Sequence, residues 1–268
     1  MPVKEITSSE NQTFRELKAL LSAKGRAEQG RLLAEGPHLV QEALRAGMPI
    51  TTVAVGASAL SKHEELLAAC AASGAQILML ADRLLDALCD TRTPQGIVAA
   101  VGIHRLGLDW LDGREGRLAV VLENVQDPGN VGTILRTALA AEGAFALLCG
   151  GADPWSPKVV RASQGAVFHL PILEETAAPQ ALERLKALGW HCACAHLAGQ
   201  DFFTRPLYAR TALVIGNEGA GVSAEAASAC QGLYRLPMSA KAESLNAAVA
   251  AGIMLYDLWR EQSVHPMS

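Results

Sequence analysis

The chain has 268 residues, 50% of them apolar and 4% aromatic, with a formal net charge of −4. That length allows one large or two ordinary domains with real cores, and the alanine-heavy apolar half marks a globular class. The acidic balance excludes a global positive field, and 5 Phe, 4 Trp and 3 Tyr leave little for a stacking platform, so any nucleic acid must be met by local charge.

Residues 11–31 begin as an amphipathic helix, with Phe14, Leu17 and Leu21 on one stripe, and end as a basic loop. Arg15, Lys18, Lys24, Arg26 and Arg31 outnumber Glu16 and Glu28 there, an excess suited either to a phosphate backbone or to a solvated face. Strand and helix then alternate: a strand over Arg31 to Glu35, a helix opened by Gly36-Pro37 and running to Ala46, and strands at Ile50 to Val55, Ala75 to Leu80 and Gly96 to Val101. Helices at Ser61 to Ala72 and Asp82 to Leu88 complete a compact α/β/α unit over residues 1–102. Glu35 and His38, beside a turn, read as structural or surface residues. Three glycines and mixed charges make 103–117 a linker, with Trp110 as a docking side chain.

The second domain spans 118–268. Leu118 to Leu122 is a buried-strand pattern, followed by the polar loop Glu123–Gly132 and a helix from Val131 to Ala141 with Asn130 as its N-cap. Val131, Ile134, Leu135 and Ala138 form that helix's apolar stripe; Arg136 points away from it, free to reach over the loop. A strand at Phe145 to Cys149 leads to a short helix, Val159 to Ser163, near which Lys158 and Arg161 add positive charge. Phe168 to Ile172 reads as an edge strand limited by proline. A helix over 179–188, a strand from Gly189 to Ala195 and a strand at Ala212 follow. Short apolar runs at 212–215 and 234–236 each end in a small, polar turn, and Glu243–Asn246 opens an apolar helix over 247–259. In an α/β domain such loops, leaving the carboxyl ends of parallel strands, hold ligands.

The six cysteines show no scaffold spacing and read as reduced core thiols of a cytosolic protein. A cytoplasmic location is expected, with no leader and no run near the ~20 apolar residues of a membrane span. His191, Cys192, Cys194 and His196 alternate across one strand and lack paired-cysteine spacing, so no metal site is expected. No Ser-His-Asp set, phosphate-binding Gly-Lys-Ser/Thr loop or Gly-x-Gly-x-x-Gly signature occurs. The polar loops carry neither thiol nucleophile nor histidine base, which favours direct transfer between two bound substrates.

Glu123-Asn-Val-Gln-Asp-Pro-Gly-Asn-Val-Gly-Thr-Ile-Leu-Arg136 closely resembles the first motif of the SpoU (TrmH-like) branch of the SPOUT RNA methyltransferases. Ile215–Val222 resembles the second motif and Leu236–Asn246 the third, all in the family's order. The first hundred residues resemble the ribosomal-protein-like substrate-binding domain of ribosomal RNA members, through Arg26, Arg31–Gly36 and Thr93–Gly96. The implied fold is α/β: a trefoil-knotted parallel-sheet domain preceded by a smaller α/β/α RNA-binding domain. The implied activity is 2′-O-methylation of a ribose in RNA, 23S ribosomal RNA above all, with S-adenosyl-L-methionine as donor, no metal and a homodimer as the working form. Arg136 and Asn130 are implied to face the acceptor ribose and its phosphate, with Arg136 assisting deprotonation of the 2′-hydroxyl, Glu218 to orient the catalytic loop, and Ser244 and Asn246 to lie near the acceptor and organise the third loop. Gly216, Asn217, Leu236, Met238 and Leu245 are implied to enclose the cofactor. Arg15, Lys18, Lys24, Arg26, Arg31, Lys158 and Arg161 are the expected RNA contacts. One departure is Ala240, where the family usually has glycine; alanine suits that place only if φ is not positive. The competing readings are a transfer RNA 2′-O-methyltransferase, a catalytically inactive RNA-binding or ribosome-associated module, and a small-molecule enzyme built on the same loops.

Overall fold

The structure is a computed structural model that describes residues 3–264. By its internal contacts the described chain forms two compact units, one of residues 3–104 and 153–169, the other of residues 105–152 and 170–264.

The first unit contains β1 (Val3–Ile6), α1 (Gln12–Ala19), α2 (Ala23–Gln29), β2 (Arg31–Glu35), α3 (Pro37–Arg45), β3 (Ile50–Gly56), α4 (Glu64–Ala72), β4 (Gln76–Leu80), α5 (Asp82–Asp86) and β5 (Ile97–Gly102). Its sheet runs β1-β4-β3-β5-β2, with β1, β4 and β3 parallel and β5 antiparallel to both neighbours. Phe14, Leu17 and Leu20 of the first helical segment pack into a core with Leu33, Leu78 and Leu85. The stretch expected as a basic loop is instead α2. Ser22 caps it by accepting from the Gly25 amide at 3.1 Å, and Gly30 closes it at φ 61°. Gly25 permits this corner, since a Cβ there would lie 2.0 Å from the Ala19 carbonyl oxygen.

The second unit contains β6 (Leu118–Glu123), α6 (Pro128–Ala140) and β7 (Phe145–Cys149). After α7 (Pro157–Ala162), which belongs by contact to the first unit, come β8 (Ile172–Glu175), α8 (Ala178–Ala187), β9 (His191–Asp201), β10 (Thr211–Ile215), α9 (Ala224–Ala229), β11 (Gly232–Arg235) and α10 (Ala247–Val264). The sheet order is β11-β9-β10-β6-β7-β8, all parallel. Continuous apolar runs suit strands covered on both faces, and β7 and β10 are buried at every residue. Two of the sequence expectations differ here. The strand expected over 168–172 is a single turn at Ala166–Phe168, and β8 starts only after Pro171, because proline cannot donate within a ladder. A continuous 118–268 domain is also not what the contacts give, for 153–169 packs with the first unit.

That segment is held by charge. Arg26, 4% exposed, donates to Asp153 at 2.6 Å and to the Leu20 and Leu21 carbonyls at 2.8 and 3.0 Å. Arg161 meets Asp90 at 2.8 Å, and His169 meets Glu42 at 3.0 Å.

In the second sheet, order reverses between β6 and β10, so the loops after these two strands face each other at a topological switch point. Beyond Cys194, β9 departs from register with β11: Leu233 opposes Cys194, yet Tyr234 opposes Gln200. Residues 195–199 therefore bulge out at the carboxyl end of the sheet. Gly199 makes the crossing possible, as a Cβ would stand 2.4 Å from the Tyr234 amide nitrogen.

Candidate active site

The loop after β6 is ordered by the loop after β10. Asn217 donates from Nδ2 to the Asn124 carbonyl at 3.0 Å, while its Oδ1 accepts from the amides of Gly219 and Ala220. Glu218 accepts from the Gln126 amide at 3.0 Å, the Asp127 amide at 2.9 Å and Asn130 Nδ2 at 3.0 Å. Its carboxylate thus sits against the amino end of α6, where a negative charge is favoured. Gly216 allows the turn to close, because a Cβ would come within 2.2 Å of the Gly221–Val222 backbone.

Asn130 is not the N-cap expected from its place before the apolar stripe. Asp127 caps α6, accepting from the Asn130 amide at 2.8 Å, and Pro128 occupies the first turn. The Asn130 side chain is thereby released, and its Oδ1 accepts from Asn246 Nδ2 at 2.9 Å. Asn246 in turn holds the start of α10 through the Ala248 and Val249 amides at 2.9 and 3.2 Å. Glu218, Asn130 and Asn246 form one relay joining all three loops.

The second and third of these loops enclose a cavity of about 510 Å³ whose lining includes Gly216, Asn217, Glu218, Leu236, Met238, Ser244 and Leu245. Asn130 and Asn246 join it through their hydrogen bonds. Arg136 stands exposed on α6, outside the lining, with no hydrogen bond or ion pair among the described residues. Ala240 lies outside positive φ, so the departure from glycine costs no strain. Sequence reasoning missed the bulge Ala195–Ala198, which also lines the cavity, whereas Tyr234, Arg235 and Glu243 line it from segments read as pocket loops. Gly199 inside a strand was the available signal for the bulge.

The seven expected RNA contacts separate. Arg26 is buried in the ion pair and carbonyl bonds described above, so it cannot reach phosphate and is corrected to a structural residue. Arg161 is engaged by Asp90, and by Glu35 at 3.9 Å. Arg31 is half-buried and bonded to Thr51 and Gln29. Arg15 pairs with Glu10, and Lys24 lies 3.8 Å from Glu28 on an exposed face. Lys18 and Lys158 remain exposed and unpaired among the described residues.

The Glu218 carboxyl has two opposed influences. Burial would raise its pKa, but hydrogen bonds from Asn130, Gln126 and Asp127 outweigh it and hold it at about 2, below the ordinary 4.5. Its folded pKa is depressed, so its stabilisation is complete above the unfolded value and is lost as pH falls through the folded one. The stability difference between wild type and Glu218→Gln should therefore be constant above pH 5, shrink below about 4.5 and vanish near 2. Urea melts across that range check it; a gap independent of pH would refute the role. Among the described residues no three His, Cys, Asp or Glu side chains gather as a metal site, and no helix is long and apolar enough to cross a membrane.

Residues 117–256 match the model of the SpoU rRNA methylase family, and residues 11–99 that of the MRM3-like substrate binding domain. A Bacillus subtilis protein named 23S rRNA (guanosine(2553)-2'-O)-methyltransferase RlmP is 35% identical over 258 residues, covering 96% of this chain and 99% of that one. The AdoMet-bound rRNA methyltransferase of Sinorhizobium meliloti superposes with a TM-score of 0.86 at 35% identity, covering 97% of this chain and 98% of its own. The SpoU methyltransferase AviRb of Streptomyces viridochromogenes, solved with AdoMet, gives a TM-score of 0.85 at 29% identity, over 95% and 99% of the two chains.

Proposed function

The chain belongs to the SpoU rRNA methylase family, and from that premise we propose that it transfers a methyl group from S-adenosylmethionine to a ribose 2′-oxygen of 23S ribosomal RNA. Its fold class is α/β, a SPOUT-type parallel-sheet domain preceded by a smaller α/β unit, to which we assign the trefoil-knotted chain path the family implies. The observation that carries the proposal is one cavity walled by the second and third motif loops, to which the Glu218–Asn130–Asn246 relay ties the first.

The residues present fit the cofactor. The cavity of about 510 Å³ falls within the ~300–1,000 Å³ of small-molecule sites. Ile215, Leu236, Met238 and Met254 give it apolar walls, the tight turns at 216–222 give it backbone groups, and the Glu218 and Glu243 carboxylates suit a cationic ligand. When bound, the sulfonium supplies an already activated methyl group, so the protein's work is alignment in a dry site. Asn130 and Asn246, fixed by the relay, orient the acceptor nucleotide. Ser244 organises the third loop. Arg136 holds the acceptor phosphate and stabilises negative charge growing on the 2′-oxygen.

We assign a homodimer as the working form and the cytoplasm as its compartment. Leu245, Val249, Ile253 and Tyr256 leave an exposed apolar stripe along the start and outer face of α10, which a second copy would cover. Mapping 2′-O-methyl groups in ribosomal and transfer RNA with and without the gene tests the substrate. One 23S position should lose its methyl group. A loss confined to transfer RNA would move the substrate there, and no loss, with no S-adenosylmethionine bound in calorimetry, would leave a non-catalytic RNA-binding module.

A further inference from the structure

Glu123, the last residue of β6, and Asn124 after it hold the second motif loop at both of its ends. Neither belongs to the relay of Glu218, Asn130 and Asn246. Asn217, near the start of the loop, donates to the Asn124 carbonyl at 3.0 Å. Ser223, at its end, donates to Glu123 twice, from its amide to Oε2 at 2.7 Å and from its hydroxyl to Oε1 at 2.5 Å.

Between these two points the loop closes on itself. The Asn217 amide donates to the Gly221 carbonyl at 3.0 Å, and the Gly221 amide returns the bond to the Asn217 carbonyl at 2.9 Å. Internal bonds of this kind give the turn its shape, while its place above the sheet is left to the two attachments. Gly219, Ala220, Gly221 and Val222 line the cavity, so a displacement of Ser223 moves a wall of the donor site. The Glu123 carboxylate is suited to prevent that. It is half-buried and makes no ion pair among the described residues. Cys149 stands opposite it in the β6–β7 register; burial and, after it, the Glu123 charge push that thiol up to about 12. A carboxylate so placed is compensated by hydrogen-bond donors, and bonds to a charged acceptor are stronger than neutral ones. Both of its bonds go to Ser223.

We propose that Glu123 is a positioning residue of the methyl-donor site, fixing the place of the 216–223 turn and through it the affinity for S-adenosylmethionine. The inference rests on the cofactor reading above. Glu123 lies outside the cavity lining, so it acts through Ser223 and not by contact with the ligand. Its task is distinct from that of Glu218, which orders the first loop through the Gln126 and Asp127 amides.

The test is calorimetry of S-adenosylhomocysteine binding to the full chain. Glu123→Gln should bind about tenfold more weakly, because the glutamine amino group is set against a donor where the carboxylate accepted. Ser223→Ala, which keeps the amide but loses the hydroxyl, should weaken binding by about threefold, and Ser223→Thr should restore it. The double variant Glu123→Gln, Ser223→Ala should bind no worse than Glu123→Gln, since both changes break one attachment. In methylation assays the KM for S-adenosylmethionine should rise by more than kcat falls, with affinity for a 23S transcript as in wild type. Hydrogen exchange of the 219–223 amides should quicken in Glu123→Gln. A residue that only stabilised the fold would lower the urea midpoint and leave the ligand affinity of the folded chain intact. Wild-type affinity in folded Glu123→Gln, or fully multiplicative losses in the double variant, overturns the inference and leaves the methyltransferase reading standing. Should Glu123→Gln not fold, wild-type affinity in Ser223→Ala overturns it. A wild-type chain that binds neither S-adenosylmethionine nor S-adenosylhomocysteine overturns both.

Discussion

Arg136→Ala should lower the rate of methyl transfer by about a thousandfold, while S-adenosylmethionine binds with unchanged affinity. The residue lies off the buried stripe of Val131, Ile134, Leu135 and Ala138, so removing it opens no cavity in the core. It is exposed and unpaired among the described residues, so its charge is not committed to another side chain. Charge placed where an oxyanion grows acts on the transition state and not on the bound cofactor. Single-turnover methylation of a 23S transcript measures the first quantity and calorimetry the second. Arg136→Lys should recover only part of the loss, because an ammonium cannot engage a phosphate bidentately. A rate equal to wild type for Arg136→Ala would end the assignment.

Arg26→Ala should destabilise the protein by about 3 kcal/mol, the scale for breaking one side of a buried ion pair. Three acceptors depend on this guanidinium: Asp153 and the Leu20 and Leu21 carbonyls. Alanine leaves the two carbonyls without their donor and Asp153 without its counter-charge. Asp153→Ala alone should cost less, since that side chain is 31% exposed and Arg26 keeps its bonds to the carbonyls. Urea denaturation of the two single variants and the double variant resolves the pair. RNA affinity of the folded Arg26→Ala chain should match wild type; a specific loss of RNA binding without loss of stability would restore the residue to the RNA face.

How far the sequence revealed these features depends on how local each one is. The apolar runs Leu118–Leu122 and Ala212–Ile215 fall on strands, and the residues expected at the cofactor, Gly216, Asn217, Leu236, Met238 and Leu245, line one cavity. Each was carried by a short contiguous motif. The start of α6 was misread because the apolar stripe begins at Val131, whereas Asp127-Pro128 was the stronger capping signal. Arg26 was misread for another reason: a charge count cannot see that a capped helix will turn the side chain inward onto a residue 127 positions away. The bulge in β9 depends on its register with β11, a long-range property that no local window contains.

The segment 153–169 lies in sequence between two strands of one sheet, yet makes its contacts with the other unit. Modular exchange among relatives must respect that. A graft of a foreign amino-terminal piece ending near residue 104 would bring no counterpart for Asp153, Arg161 or His169, whose partners Arg26, Asp90 and Glu42 leave with the discarded piece. Recombination that preserves function should transfer the insert together with the piece it grips, so inheritance here follows interlocking charge and not the linear boundary.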